Sequence, residues 1–127
     1  MWNRSQRRVR VVMARTRRPL VRRARVARSW VARAVGLLGC RRLGEGEGLI
    51  LPRCSSIHTI GMRFAIDAVF VDPGWRVVSL RPNLPPGRVL LPQWGVWGVV
   101  ELAGGTVRDI GLEVGDQLIV TEAVPHG

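Results

Sequence analysis

The sequence has no lysine and no tyrosine, only two cysteines and two histidines, and no long apolar run. No stretch approaches the roughly 20 apolar residues that a membrane-spanning helix needs, and no apolar signal core follows the N-terminal arginines. Without a signal, Cys40 and Cys54 are expected to be free thiols. These absences favour a cytoplasmic protein. The use of arginine in place of lysine is typical of a GC-rich bacterial genome.

Acidic residues are missing from the first third of the chain. Residues 1–42 hold 14 of the 20 arginines and no Asp or Glu, whereas the remaining 85 residues hold 6 Arg and 9 acids. The formal net charge of +11 is therefore +14 in the first segment and −3 in the rest. Such an arginine-rich segment predicts attraction to polyanions.

The length of 127 residues predicts one domain. The polar residues 1–7 are expected to be disordered, and a single β-rich domain is expected over 8–124. Apolar residues at a period of two predict an arginine-rich hairpin over 8–28. Ser29 is a suitable N-cap for a helix over 29–39, and short apolar runs predict a β body over 48–123.

The most apolar run, Phe64–Val71, predicts a strand that is covered on both sides. The turn residues Asp72-Pro73-Gly74 follow it, and Trp75–Arg81 is expected to pair back as the next strand. Together with the other runs, this pattern predicts an α+β, mainly β fold. We expect a compact, partly closed β barrel or sandwich of about seven short strands with one main helix packed on it.

Five motifs carry a resemblance to a known family. They are RAVGLLG (Arg33–Gly39), GEGLIL (within Glu45–Leu51), HTIGMRFAIDAVFVD (His58–Asp72), VVELAGG (Val99–Gly105) and IGLEVGDQLIV (Ile110–Val120). In order and spacing they resemble the domain of unknown function 192, a small bacterial and archaeal domain. The resemblance covers about Leu20 to Val120. It implies a compact β-rich fold with the helix on the sheet, and it supplies no activity and no catalytic residue.

Two acids, Asp67 and Glu101, lie inside apolar strand runs. A buried carboxylate without a partner is costly or takes up a proton, so each is expected to face solvent or to have a partner. Arg63 or another arginine is the predicted partner of Asp67. The alternative interpretation is a general acid and base pair in a hydrolase-like enzyme.

Cys54, His58 and Met62 are spaced by four residues and would share one face of a helix. Thiolate, imidazole and thioether suit Cu(I), and Zn²⁺ accepts the first two. Ile60-Gly61 and the strand that follows argue against a helix here. We therefore favour a structural turn and predict no metal and no cofactor, with Cys54 and His58 as weak candidate ligands.

Two further turns stand out. Gly115-Asp116 predicts a turn in which the Asp side chain bonds the turn's own backbone. Trp94 and Trp97 flank Gly95 in a loop, where they could cover a ligand or a partner or pack in the core.

The sequence has no phosphate-binding loop, no ordered Ser/His/acid set and no Cys-x-x-Cys pair. It favours a non-enzymatic module that binds an unidentified ligand or protein partner. The ligand-binding candidates are His58, Met62, Arg63, Asp67 and Glu101. One alternative is a binder of nucleic acid or another anionic surface, with candidates Arg17, Arg18, Arg22, Arg23 and Arg25. The other is the hydrolase-like enzyme with Asp67 and Glu101.

Overall fold

A computed structural model of the chain describes residues 8–28, 43–44 and 46–122. The segment predicted to be disordered, 1–7, and the helix predicted over 29–39 lie outside the described residues. The described part contains nine strands and one short helix. They are β1 (Arg8–Met13), β2 (Pro19–Val26), β3 (Glu47–Leu51), β4 (Ile57–His58), β5 (Ile66–Val71), β6 (Val77–Leu84), β7 (Val89–Leu90), β8 (Gly98–Ala103), α1 (Thr106–Ile110) and β9 (Leu118–Glu122).

Seven strands form one curled sheet in the order β6-β5-β8-β3-β2-β1-β9, and β4 pairs with β7 in a separate two-stranded ribbon. Only the β2–β3 pair of the large sheet is parallel. The two edge strands approach each other at one end, where Arg76 bridges Gln117 and the Val77 N–H donates to the Asp116 carbonyl. The sheet is thus a half-barrel, and the predicted mainly β, partly closed fold is confirmed.

The sheet buries both of its faces. The inner face carries side chains from all seven strands, among them Val11, Val69 and Leu118, and α1 adds Val107. The outer face is packed against the β4–β7 ribbon and the loop before β5, with Phe70 and Ile57 at its centre. Because both faces are covered, all six residues of β5 are buried, as the continuous apolar run predicts.

The helix α1 closes one end of the inner face. Val107 and Leu112 pack into the inner core, and Gly111 ends the helix with φ of 70°. The N-cap residue is Gly105, and the Thr106 hydroxyl donates to the Ala103 carbonyl at 2.7 Å. The opposite end of the inner face lies near the C-terminal ends of β3 and β5.

Candidate functional site

Asp67 is fully buried on the inner face, and both of its carboxylate oxygens accept backbone hydrogen bonds. Oδ1 accepts from the N–H groups of Asn83 at 2.8 Å and Gly105 at 3.1 Å. Oδ2 accepts from the Val107 N–H at 2.7 Å. The predicted burial of Asp67 is confirmed, but the predicted partner, Arg63 or another arginine, is replaced by these three backbone donors, and Arg63 is exposed. Asp67 therefore holds β6 and α1 onto β5.

Glu101 is also buried, but it lies on the other face of the sheet. In the β5–β8 register Glu101 is opposite Ala68, and Asp67 is opposite Leu102. Paired residues share a face and neighbours along a strand alternate. The sheet thus separates the two carboxylates. The hydrolase-like interpretation needs both on one substrate, so it loses its acid and base pair.

The candidate ligand-binding and metal-binding residues near the β4–β7 ribbon lie in positions where they contribute to the fold. Met62 is buried in the outer core, His58 lies in β4 opposite Val89, and the Cys54 thiol donates to the Ser56 carbonyl at 2.9 Å. Residues 54–62 are not helical, so these side chains do not share a helical face. Within 8–28, 43–44 and 46–122, no group of three or more His, Cys, Asp or Glu side chains could hold a metal ion.

Four of the five arginines predicted for polyanion binding are exposed on the β1–β2 hairpin: Arg17, Arg18, Arg22 and Arg23. Arg25 does not belong with them, because it is only 3% exposed. Arg25 pairs with Leu49 across β2–β3, and Leu49 pairs with Glu101 across β3–β8. The register therefore places Arg25 and Glu101 in one buried row on the outer face.

The hairpin also carries an ion pair that joins it to the segment just before β9. Arg15 contacts the Asp116 carboxylate at 2.9 Å and 3.1 Å through two guanidinium nitrogens. Asp116 also accepts the Glu113 N–H at 2.8 Å, which confirms the predicted Gly115-Asp116 turn. The hydrogen bond from Arg15 lowers the pKa of Asp116 and, in return, raises the pKa of Arg15.

A cleft opens at the end of the inner face opposite α1, and we call it the Trp cleft. Its volume is about 540 Å³. Its described lining consists of Val9, Val26, Arg28, Ile50, Pro52, Arg53, Trp75, Trp97 and Val120. The rings of Trp75 and Trp97 meet edge to face, with centroids 5.5 Å apart and an interplanar angle of 69°.

Trp75 reaches the cleft through the turn between β5 and β6. The Asp72 carboxylate accepts the N–H groups of Gly74 and Arg76, each at 2.9 Å. The amide of Gln117, the residue before β9, donates to the Gly74 carbonyl. Within this turn Trp75 adopts φ of 64°, a conformation that is rare for a bulky residue. The structure thus places Trp75 in the turn, where the sequence pattern predicts the start of a strand.

Two other parts of the wall are fixed by backbone bonds. The Trp97 N–H donates to the Val71 carbonyl at 2.7 Å, and the Trp97 carbonyl accepts the Cys54 N–H at 2.9 Å. These bonds hold the turn after β3 beside Trp97. Arg53 in that turn has φ of 53° and is exposed at the cleft.

Sequence reasoning missed the cleft, although it considered Trp97. The lining runs from Val9 to Val120, so only the closed sheet brings it together. The available signals were the Pro-containing turns before Arg53 and Trp75, which mark sharp reversals at strand ends.

The sequence of the chain matches a known family. The DUF192 family model, described as uncharacterised ACR, matches residues 10–120. The chain therefore belongs to this family, as the five motifs predict.

Similar proteins share the sequence or the fold. The UPF0127 protein PH1112 of Pyrococcus horikoshii is 32% identical over 98 residues, covering 74% of this chain and 84% of the relative. A crystal structure of a candidate transcription regulator from Sinorhizobium meliloti 1021 has a TM-score of 0.77 at 21% identity, covering 94% of this chain and 97% of that one. A protein of unknown function from Novosphingobium aromaticivorans DSM 12444 has a TM-score of 0.73 at 25% identity, covering 88% and 83%. These similarities show the fold.

Among the described helices and strands, no helix has the length and apolar character that crossing a membrane requires.

Proposed function

We propose that this domain is a non-enzymatic binding module that holds a small ligand in the Trp cleft. One observation carries the proposal: Arg53 and Trp75 both have positive φ and both line this cleft. Non-glycine residues keep such strained backbone only where the surroundings impose it, and they cluster at binding sites. The Asp72 and Gln117 contacts supply that constraint for Trp75.

The shape and lining of the cleft suit a small organic molecule. A volume of about 540 Å³ lies inside the range of about 300–1,000 Å³ that is typical of ligand pockets. The lining includes the apolar side chains of Val9, Ile50 and Val120 together with two tryptophans. Such a surface favours a ligand with an apolar or planar body, since aromatic rings add edge or stacking contacts to simple burial.

The charges at the cleft favour a ligand with an anionic group. Arg28 and Arg53 are its only ionised lining residues in the described chain, and both are exposed. A guanidinium forms bidentate hydrogen bonds with carboxylate, phosphate or sulfonate oxygens. No acid, histidine or cysteine belongs to the described lining, so it offers no general base and no thiol nucleophile. This composition supports binding without chemistry.

The test is a titration with anilinonaphthalene sulfonate, which joins a planar apolar body to one anionic group. We expect saturable binding that weakens about tenfold or more in Trp97→Phe and Arg53→Gly, because each loses a contact with the probe. Arg53→Gly is a mild change, since glycine accepts positive φ without strain. Val114→Ala is the control, because Val114 is exposed and does not line the cleft.

Thermal unfolding of each variant verifies that the fold is kept. Equal affinity in the parent protein and both cleft variants would contradict the proposal. Equal binding of the uncharged anilinonaphthalene would exclude the role given to the two arginines.

A second candidate function is polyanion binding by the β1–β2 hairpin. Arg17, Arg18, Arg22 and Arg23 are exposed there, and the sequence of 8–28 contains no acid. Arg18 and Arg22 also line a cavity of about 770 Å³ beside α1. A group of exposed guanidinium groups supports binding to a phosphate backbone, and a salt series tests it.

A further inference from the structure

An exposed apolar patch lies on the β4–β7 ribbon and on the loop after it. We call it the ribbon patch and define it by Ile60, Val89, Leu91 and Trp94. Their exposed fractions are 55%, 60%, 75% and 99%, respectively. In the described chain they are four of the six exposed large apolar side chains, and the other two, Val114 and Ile119, lie near β9. Exposed apolar side chains grouped in this way mark an interaction surface.

Hydrogen bonds fix the backbone that presents the patch. The Thr59 N–H donates to the Arg88 carbonyl at 2.8 Å, which places Ile60 beside the start of β7. The Thr59 hydroxyl donates to the Pro85 carbonyl at 2.7 Å and accepts the Arg88 N–H at 2.9 Å. Gln93, next to Trp94, accepts a hydrogen bond from Ser79 of β6 at 2.7 Å. The patch is thus formed before any partner arrives.

The chain segments that form and flank the ribbon patch carry only positive charge. The segments that form and flank it, 52–64 and 81–95, contain four arginines and no acid. All four are exposed: Arg53, Arg63, Arg81 and Arg88. Every one of the nine acids lies in other segments. A partner of this surface must therefore combine an apolar layer with negative charge.

We propose that the ribbon patch docks the domain on the surface of a bilayer that contains anionic lipids. Trp94 at 99% exposure stands clear of its neighbours on a turn, and separate projecting side chains can enter the interfacial layer without a complementary shape. Tryptophan favours that layer because its ring is apolar and its N–H is polar. The flanking guanidinium groups meet lipid phosphates and carboxylates. A protein partner would instead need a close-packed hot spot around a buried anchor, whereas Trp94 projects almost fully into solvent.

Vesicle sedimentation tests the proposal with the full chain. The vesicles are equimolar phosphatidylcholine and phosphatidylserine, or phosphatidylcholine alone. We expect binding to the mixed vesicles, much weaker binding to neutral ones, and a loss of about tenfold or more in Leu91→Ser/Trp94→Ser, since two exposed apolar side chains lose their burial in lipid. Val114→Ser removes an exposed apolar side chain outside the patch and should bind like the parent.

Tryptophan emission provides a second measurement. Insertion of Trp94 should shift the emission of the parent to shorter wavelength on mixed vesicles, and Trp94→Phe should lose that shift. Absence of vesicle binding, or binding that the double variant keeps, would overturn the proposal. Sedimentation velocity tests whether a second copy of the chain covers the patch instead. If the parent is a dimer and only Leu91→Ser/Trp94→Ser is a monomer, the patch is a contact between two copies and not a lipid-binding surface.

Discussion

The contact between Arg15 and Asp116 shows how one residue pair can close a fold. Arg15 lies in the turn of the β1–β2 hairpin, and Asp116 lies just before β9, 101 positions later. Arg15 also donates to the Gly111 carbonyl at 3.0 Å. The pair therefore links the hairpin to the segment between α1 and β9. Arg15 is half exposed while Asp116 is nearly buried, so solvent screens part of the attraction.

Asp116 should make the stability of the domain depend on acid pH. Its pKa is lowered in the folded state, first by the hydrogen bond from Arg15 and also by the Glu113 N–H. A carboxyl with a depressed folded pKa contributes stability above its unfolded pKa of about 4, and this contribution is lost as the pH falls through the folded pKa. We expect Asp116→Asn to lower the free energy of unfolding at neutral pH and to flatten its decline below about pH 4.

Urea unfolding across pH measures this effect. Asp109→Asn is the control, because Asp109 is exposed and its carboxylate lies in a different segment. A parallel decline of stability with acid in the parent protein and in Asp116→Asn would contradict the prediction.

At the scale of elements, Asp67 joins more of the fold than Asp116 does. Its carboxylate holds the start of α1 and the end of β6 through three backbone N–H groups. Asn83, one of these donors, has φ of 50° and interrupts the β5–β6 register. The Asp67 side chain of β5 thus accepts hydrogen bonds from backbone N–H groups that have no ladder or helix partner. One of these groups lies at the bulge in β6, and the others lie at the N-terminus of α1.

We expect Asp67→Asn to destabilise the domain by about 3 kcal/mol or more, because a neutral amide offers one acceptor oxygen where three backbone N–H groups use two. Urea unfolding gives this free energy. Hydrogen exchange shows where the stability is lost. In Asp67→Asn the amides of Gly105 and Val107 should exchange faster, relative to the parent, than the amides of the sheet do. Asp72→Asn is the matched control, since it changes an Asp that accepts two backbone N–H groups at a less buried turn. An equal loss in both variants would show that Asp67 has no special role.

The elements that the sequence predicted well are those with long apolar periodicity. The run Phe64–Val71 predicts β5 because a strand covered on both faces needs no polar alternation. The ribbon strand β4 was not predicted, because two residues are too few to show an alternating pattern. Their pairing with β7 depends on the tertiary fold. The sequence pattern predicts a strand that ends at Arg81, but β6 continues through Pro82 to Leu84. Proline is acceptable there because β6 is an edge strand.

The candidate site was less predictable than the fold for a physical reason. Chemical residue types drew attention to Asp67 and Glu101, yet strand alternation places them on opposite faces. To predict which face each carboxylate occupies, one must know the pairing register of the strands. That register is determined by the packing of the whole sheet and not by one local segment. The Trp cleft depends on the approach of β6 and β9 at Arg76 and Gln117. No local pattern encodes such a contact between segments about forty residues apart.

At the scale of the molecule, positive charge is concentrated on one hairpin. The described residues 8–28 hold nine arginines and no acid. Seven of these arginines are exposed, namely Arg10, Arg15, Arg17, Arg18, Arg22, Arg23 and Arg28. Arg15 is engaged by Asp116, and Arg18 donates to the Asp109 carbonyl at 3.3 Å. Together the exposed guanidinium groups of the hairpin produce a positive field that attracts polyanions at low salt.

This field leads to a prediction for duplex DNA and heparin. Each phosphate contact adds about 0.9 to the slope of log affinity against log salt on duplex DNA. Replacement of Arg17, Arg18, Arg22 and Arg23 by Gln should therefore lower the slope by up to about 3.6 if all four contact phosphates.

The control replaces four exposed arginines elsewhere: Arg63, Arg81, Arg88 and Arg108. Both variants lose the same net charge, so a general electrostatic attraction would reduce the slope equally in both. A larger reduction in the hairpin variant assigns the binding to β1–β2, whereas equal reductions, or no binding by the parent protein at low salt, would contradict the hairpin as a polyanion site.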